Sequence, residues 1–441
     1  MSRTVRSASP KPTGGKDPEA RFAVADPGKE WRRGHRIPVV PSFDGYRAYA
    51  ILFVCLFHIF QVSGAFNAAG DSALGVLAWG ILPRSLDALF IVSGFVIYLP
   101  TIVRDGDFGR VSAFAIRRAA RLVPAYYVTL LIAILLLLVV SSSSGPPGAG
   151  TIGAHLAVLQ TPALLFVDEF RLGLGVVPPV WTLSVEVGFY VVLPLVAAWY
   201  FRHPLVGLAV AAAIVLVWRE LADHADSVAS LFGTDLTSDA EHRIDTFYAS
   251  QFPSWTLALA TGMTGAWAYV RLRDRFTAER LRKLSIWGTA LAGIVLALEI
   301  YLAGHGAVQD VSPFEGLFAR ESILVTLGYP LALGAVLVGF SLLPERVQFP
   351  CATPAIRWIG DISYAIYLIH FAVIWFALRE FSLPGDGSVG AVLAWCAVVF
   401  PASILYAYFS ARFLERPARR WAHQFGRRAQ APAETVAARA G

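Results

Sequence analysis

Charge is the property that this 441-residue sequence has least of: 15% of its residues are Asp, Glu, Lys or Arg, whereas 56% are hydrophobic. Soluble domains carry about 25% charged residues, so the composition excludes a soluble globular protein. The hydrophobic residues form continuous runs rather than alternating with polar ones, which excludes a membrane-spanning β-barrel. The sequence therefore predicts an all-α, polytopic transmembrane helix bundle, and its high Arg and Ala content indicates a bacterial plasma membrane.

Cysteine is also scarce, and its three residues lack the spacing of a disulfide framework or a metal site. Cys55, Cys351 and Cys396 lie in or beside hydrophobic segments, where we interpret them as small buried apolar side chains. We expect no metal and no resident cofactor. The formal net charge of +6 follows from the placement of Lys and Arg around the membrane rather than from nucleic-acid binding.

Ten segments are long and apolar enough to cross a bilayer, which takes about 20 residues. They are residues 45–65, 84–103, 120–140, 181–200, 204–218, 252–270, 284–303, 322–343, 361–379 and 389–413. A weaker segment, 152–167, contains His155 and is flanked by Gly and Pro. It is typical of an interfacial or re-entrant piece, with an eleventh span as the alternative.

The distribution of basic residues predicts the orientation. Of the 37 Lys and Arg residues, 30 fall on the side of the N-terminus when ten spans are drawn, and only six fall on the other side. Because cytoplasmic loops carry the excess of Lys and Arg, both termini are predicted to be cytoplasmic. Residues 1–40 are typical of a disordered basic tail rather than a signal peptide, residues 41–417 form the transmembrane domain, and residues 418–441 form a basic, Ala-rich tail.

Ionisable residues inside membrane spans are costly and mark functional sites by default. Arg47 and His58 are eleven residues apart in the first span, so they share one helical face about 16 Å apart along the axis. Arg47 then lies near the cytoplasmic surface, where a snorkelling anchor is the alternative. His58 lies past the midplane, where a packing histidine is the alternative. Glu186, near the start of the fourth span, falls close to the depth of His58 and needs a partner or a proton.

Other polar residues of the spans are expected to support this pair. They are Asp44, Asp87, Ser93, Ser184, Tyr364, Tyr367 and His370. A purely structural hydrogen-bond network is the alternative interpretation of the tyrosines and His370.

Three arginines, Arg117, Arg118 and Arg121, precede the apolar part of the third span. Positive-inside topology explains part of this cluster, but guanidinium groups also bind phosphates in a bidentate manner. Together with Arg47 they predict a site for a cytoplasmic anionic ligand whose reactive end reaches His58. An acyl-coenzyme A fits this pattern, with His58 as general base on a hydroxyl group and Glu186, or another polar neighbour, orienting the ring.

Six motifs occur in order along the chain, each in its expected span. They are Arg47 followed by His58, Leu89–Phe95, Arg117–Pro124, Trp181–Glu186, Ser363–His370 and Glu415–Pro417. With these motifs the sequence resembles the acyltransferase 3 family of multi-pass membrane O-acyltransferases from about residue 43 to residue 417. The resemblance implies transfer of an acyl group, often acetyl, from acyl-CoA to a hydroxyl of a sugar, glycolipid or natural product, with His58 as base and Arg47 essential.

The sequence departs from the family pattern in three ways. Val187 stands where a second acidic or amide residue is usual, and Thr182 replaces the common Ser. We expect no extracellular hydrolase-like domain of the kind that several members carry, which favours an acceptor smaller than a cell-wall polymer.

Two other functions remain open on the sequence. The buried His, Glu and Arg residues are also what a proton-coupled transporter or exporter of a hydrophobic or glycosylated compound needs, although no internal repeat or paired interrupted helix is visible. An inactive or sensory relative that binds acyl-CoA without turnover is the third possibility, against which stands the retention of both Arg47 and His58.

Overall fold

The computed structural model describes residues 40–139, 148–164, 176–224, 227, 230–231, 250–309 and 323–428. The described chain is helical and contains no β-strand. Residues 1–39 of the predicted N-terminal tail and residues 429–441 of the predicted C-terminal tail lie outside the described residues. Residues 418–428 of that tail belong to a helix that begins at Arg416.

The helices of the described chain have the following bounds. They are α1 (Pro41–Val62), α2 (Ala65–Ala69), α3 (Ala73–Ile81), α4 (Ser85–Val103), α5 (Val111–Val139), α6 (Ala149–Leu156), α7 (Gln160–Ala163), α8 (Trp181–Arg202), α9 (Pro204–Asp223), α10 (Thr256–Arg275), α11 (Ala278–Gln309), α12 (Ile323–Ser341), α13 (Phe349–Ala352), α14 (Pro354–Glu380), α15 (Val389–Ser410) and α16 (Arg416–Arg428). Short 3₁₀ turns, Pro178–Val180 and Phe252–Trp255, precede α8 and α10, and a π-helical turn, Ala411–Glu415, joins α15 to α16.

Nine helical segments of the described chain are long and apolar enough to cross a membrane, which confirms the predicted polytopic all-α bundle. The predicted tenth span, residues 252–270, is helical as α10 but is not apolar enough to be counted with them. The orientation of the termini stays a prediction.

The low hydropathy of α10 has a packing cause. The helix lies inside the bundle against α4, α9 and α12. A Cβ atom on Gly262 would lie 2.0 Å from the carbonyl oxygen of Ile91, and one on Gly94 of α4 would lie 2.1 Å from that of Leu259. Small residues let two helix backbones touch, and a helix that faces protein rather than lipid needs less apolar surface. Gly94 and Gly262 therefore allow the backbones of α4 and α10 to pack closely.

The pairing of α1 with α14 fixes the helices that carry most of the predicted site. A Cβ on Gly360 of α14 would lie 2.1 Å from the carbonyl oxygen of Asp44 on α1. One on Gly45 of α1 would lie 2.1 Å from the carbonyl oxygen of Cys351 on α13, the short helix that precedes α14. The two helices therefore approach closely at the end where Arg47 lies. The third span begins earlier than predicted, because α5 starts at Val111. All three arginines thus lie on this helix, Arg117 and Arg118 before the predicted start of the span.

The described part of segment 152–167 folds as two short helices, α6 and α7, joined by a turn in which Val158 has a φ of 57°. Helices of eight and four residues are too short to span the hydrocarbon layer. Side chains of neighbouring helices hold the segment by its backbone: Tyr126 donates to the carbonyl of His155 at 2.7 Å, and Ser184 donates to that of Val158 at 3.2 Å. The re-entrant interpretation, rather than an eleventh span, fits this structure.

The Gly94 contact can be tested by adding a single methyl group. We expect Gly94→Ala to lower the stability of the detergent-solubilised protein by about 1–3 kcal/mol, because the new Cβ meets a backbone atom that has no room to move. Gly288→Ala is the matched control, because a Cβ there meets nothing within 4 Å. Thermal unfolding followed by size-exclusion chromatography measures both, and equal melting temperatures would contradict the close contact.

The spanning role of α10 can be tested separately by cysteine labelling. Its 20 residues extend about 30 Å, the thickness of the hydrocarbon layer. With the three native cysteines replaced by Ala, we expect a membrane-impermeant maleimide to label Ser230→Cys in intact cells, and Lys283→Cys only after permeabilisation. Labelling of both positions from the same side would show that α10 does not cross.

Candidate active site

A cavity of about 80 Å³ lies among α1, α4, α5, α8 and α14. Its lining combines apolar side chains with two cations, one carboxylate and several hydroxyl groups. The lining residues are Arg47, Ile51, Leu86, Leu89, Phe90, Ser93, Arg121, Thr182, Leu183, Glu186, Ser363, Tyr364, Tyr367 and Leu368. The cavity therefore brings together residues from five of the six sequence motifs.

The two guanidinium groups of the cavity have N–H groups that make no hydrogen bond to a described residue. Arg47 and Arg121 both line it, yet neither hydrogen-bonds or forms an ion pair with another residue that the structure describes. Each lies within electrostatic range of Glu186 and of the other arginines of the cluster. Glu186 is engaged as well, because the Tyr190 hydroxyl donates to its Oε1. An anion entering this cavity would meet guanidinium donors that no described side chain occupies.

The remaining two arginines of the predicted cluster differ in position. The Arg118 guanidinium stacks over the rings of Phe114 and Tyr190 at 5.4 and 5.6 Å, and its Nε is buried without a hydrogen-bond partner. Arg118 therefore lies directly behind the cavity wall. Arg117 lies on the exposed face of α5 and does not contribute to the cavity lining.

His58 does not line the cavity. It lies about 10 Å beyond Ile51 along the axis of α1, in contact with the rings of Phe57, His370 and Phe371. Its Nδ1 lies 2.9 Å from Oε1 of Gln61 on the next turn. An amide oxygen only accepts hydrogen bonds, so with the amide in this orientation Nδ1 carries the proton and Nε2 carries the lone pair. Gln61 thus occupies the orienting position that the sequence analysis gave first to Glu186.

A short chain of contacts links His58 to the cavity. The His58 and His370 rings are 5.3 Å apart, and the His370 and Tyr367 rings are 5.7 Å apart. His370 is fully buried, its Nδ1 donates to the Tyr367 carbonyl at 2.6 Å, and its Nε2 has no partner. The Tyr367 ring lines the cavity, and its hydroxyl donates to the Pro179 carbonyl and lies 2.6 Å from the Thr182 hydroxyl. His370 is therefore the buried polar group between His58 and the cavity.

Three other predicted residues have partners away from the cavity. Asp44 forms a half-exposed ion pair with Arg357 at 3.5 Å. Asp87 is buried and pairs with Arg84 at 3.4 Å, about 120° around α4 from Ser93. Ser184 holds the re-entrant segment, as described above. These side chains support the fold around the site rather than line it, whereas Ser93, Tyr364 and Tyr367 line the cavity as expected.

Sequence reasoning missed two residues near the site. Gln61 lies three residues after His58, a spacing that places two side chains side by side on a helix, so its position could have indicated the pairing. Glu415 was noted only as part of a motif, yet it is 2% exposed and interacts electrostatically with Arg121. Nothing in the local sequence indicates that Glu415 faces inward.

Comparison with known proteins places this architecture in a family. A family model described as an acyltransferase domain, that of the acyltransferase 3 family, matches residues 40–409. The chain belongs to the acyltransferase 3 family. The match covers every helix that contributes to the cavity, and with the nine apolar helices it identifies a multi-pass membrane protein. Among the described residues, no group of His, Cys, Asp and Glu is arranged to hold a metal ion.

Relatives within the acyltransferase 3 family are bacterial. The peptidoglycan O-acetyltransferase OatA of Listeria monocytogenes is 23% identical over 86% of this chain and 56% of its own length. The putative peptidoglycan O-acetyltransferase YrhL of Bacillus subtilis is 23% identical over 86% of this chain and 55% of its own length. The acyltransferase MdmB of Streptomyces mycarofaciens is 26% identical over 78% of this chain and 81% of its own length. The chain thus spans about half the length of the two peptidoglycan relatives, and no solved structure matches it.

Proposed function

We propose that this protein is a membrane O-acyltransferase that moves an acyl group, most simply acetyl, from acyl-CoA to a hydroxyl of a carbohydrate, glycolipid or natural product. The observation that carries the proposal is the pair of guanidinium groups, Arg47 and Arg121, that face an internal cavity and neither hydrogen-bond to nor form an ion pair with any described residue. On the same helix as Arg47 lies His58, a histidine whose Nε2 is left as a base. Membership of the acyltransferase 3 family and the names of its relatives support acyl transfer.

The arginine cluster supports an acyl-CoA donor. A cavity of about 80 Å³ is too small for a nucleotide but accepts the narrow end of a long ligand. The phosphates of coenzyme A would remain at the mouth, where charge-assisted hydrogen bonds from guanidinium groups are strong. The pantetheine arm would then carry the thioester towards His58, about 16 Å further along α1.

The proposed chemistry is a direct transfer. His58 Nε2 accepts the proton of the acceptor hydroxyl while the hydroxyl oxygen attacks the thioester carbonyl. The carbon–sulfur bond breaks, and the departing thiolate of coenzyme A takes the proton from the imidazolium. The products are an ester and coenzyme A. Gln61 holds the required tautomer, and Glu186 keeps two of the arginines oriented towards the cavity.

The acceptor class rests on the relatives. Two are named for peptidoglycan and one only as an acyltransferase. This chain matches 81% of the length of MdmB, a larger share than for either peptidoglycan relative. We therefore propose a hydroxyl on a sugar-containing compound that reaches the membrane, without choosing between a polymer and a small molecule.

The role of His58 can be tested by comparing products of cells. Envelope lipids, glycans and secreted metabolites are measured by mass spectrometry in cells with wild-type protein, no protein, His58→Ala, or the control His305→Ala. We expect a species heavier by one acyl group with wild type and His305→Ala, because His305 lies on the exposed face of α11. Loss of the general base should reduce its formation at least about 100-fold in His58→Ala.

The same experiment separates the alternatives. Unchanged product from a folded, inserted His58→Ala protein would contradict the assignment of the base. A compound that changes its distribution between cell and medium without any mass shift would instead favour a transporter.

The donor site can be tested by coenzyme A binding to the purified protein. We expect Arg47→Ala and Arg121→Ala each to weaken binding by about 10- to 100-fold, the loss typical of a hydrogen bond to a charged group. Arg117→Ala is the matched control, because this side chain lies outside the cavity on the exposed face of the same helix as Arg121. Isothermal titration calorimetry at fixed ionic strength measures all four proteins, and an equal loss in Arg117→Ala would indicate non-specific charge attraction.

A further inference from the structure

A carboxylate that the proposed chemistry does not use is buried behind the cavity. Glu415 is 2% exposed, although it lies where the last apolar helix meets a strongly basic one. A buried carboxylate in a membrane protein is costly unless charged or polar partners surround it. Its nearest hydrogen-bond partner is the Ser410 hydroxyl at 3.4 Å, a long contact that does not compensate a full charge.

The π-helical turn Ala411–Glu415 gives Glu415 its direction. A π turn adds one residue to an α-helix and rotates the side chains that follow it. Phe413 within the turn is 62% exposed, whereas Glu415 at its end points inwards. Such turns occur frequently at functional sites.

The helix after the turn is fastened independently of Glu415. Arg416 and Arg419 of α16 donate to the two carboxylate oxygens of Asp361 on α14, at 3.0 and 3.3 Å. The α16 helix also packs against α5, the helix that carries Arg121. Docking of α16 therefore has ion pairs that do not include Glu415, although Glu415 also attracts Arg419.

The charge that faces Glu415 from α5 is Arg121. The electrostatic partners of Arg121 are Tyr190, Glu186, Glu415 and Tyr364, and those of Glu415 are Arg419, Arg121 and Asp361. Arg121 thus has two carboxylates within electrostatic range. Glu186 lines the cavity, whereas Glu415 does not and lies on a turn that packs against α5.

We infer that Glu415 is a positioning residue that holds the Arg121 guanidinium in place for the phosphates of the donor. This inference rests on the proposed acyl-CoA function. With Glu415 present, Arg121 is also attracted to a carboxylate outside the cavity, which opposes its pairing with Glu186. When Glu415 loses its charge, Glu186 is the one carboxylate left near Arg121 among the described residues. An ion pair with Glu186 would then occupy the guanidinium N–H groups that the phosphates of acyl-CoA need.

The test is a double-mutant cycle on coenzyme A binding by the full-length protein. We expect Glu415→Gln to weaken binding about tenfold, the lower end of what loss of an orienting partner costs at metal sites. In an Arg121→Ala background the same substitution should have no further effect. Additive losses would overturn the inference. Glu415→Asp, which keeps the charge on a shorter side chain, should bind between wild type and Glu415→Gln.

Two controls separate this result from other causes. Asp361→Asn removes the ion pairs that fasten α16. If Asp361→Asn and Glu415→Gln lose the same coenzyme A affinity, and each loses it equally in the Arg121→Ala background, Glu415 acts only through the docking of α16. If Glu415→Gln does not fold, the cycle is measured with Glu415→Asp. Wild-type protein that binds no coenzyme A would overturn the proposed donor and, with it, this role of Glu415. Normal binding by Glu415→Gln beside a weakened Arg121→Ala would overturn the present inference alone.

Discussion

The structure depends on keeping arginines inside a helix bundle that is otherwise built for lipid. Arg47, Arg118 and Arg121 gather at one end of α1 and α5, with Glu186 and Glu415 as the carboxylates that both enter this cluster and lack an ion pair elsewhere. Three guanidinium and two carboxylate groups leave a positive charge to be met by a ligand, because Asp44 is already paired with Arg357. An uncompensated charge at this depth is expensive. The cluster therefore makes physical sense as a site that is completed when an anion binds.

Close helix packing is what makes room for such a cluster. Glycine contacts bring α1 against α14 and α4 against α10 until backbone atoms touch. The larger polar side chains lie around the cavity among α1, α4, α5, α8 and α14. Aromatic rings then close the walls: Phe114 and Tyr190 cover Arg118. The cavity is thus a consequence of unequal packing, tight at the glycines and open at the arginines.

The sequence was a good guide to the helices and a weaker guide to their rotation. Hydropathy located nine spans because lipid contact demands apolar residues over a fixed length. It failed as a criterion for α10, whose contacts are with protein, so its glycine, alanine and threonine residues satisfy packing rather than lipid. Asp87 and Ser93 show the limit of reasoning by depth. Both lie in α4 at plausible depths, but only Ser93 lines the cavity, whereas Asp87 pairs with Arg84 at the N-terminal end of the same helix.

Partners between helices were less predictable still. The spacing of Arg47 and His58 fixed their common face, since both lie on one helix. The partner of His58 was also local, at Gln61, but a long-range carboxylate was the more attractive expectation for a catalytic ring. Glu415 could not be assigned at all, because a π turn shifts the helical phase and no residue pattern announces it. The rotation of each helix about its own axis decides which polar side chains meet in the folded protein. This rotation is set by tertiary packing and cannot be inferred from the periodicity of the sequence.

The separation of the arginines from His58 gives the site two ends with different electrostatic characters. The arginine end favours anions, whereas the His58 end is lined by aromatic rings and a second histidine, His370, with a lone pair of its own. Both imidazoles donate from Nδ1, to Gln61 and to the Tyr367 carbonyl, so in the neutral form of each ring Nε2 carries the lone pair. Two adjacent neutral rings are stable where two imidazolium ions would repel each other. This arrangement suits a reaction in which one proton is taken up and returned at the same centre, with the charged part of the donor kept at the far end of α1.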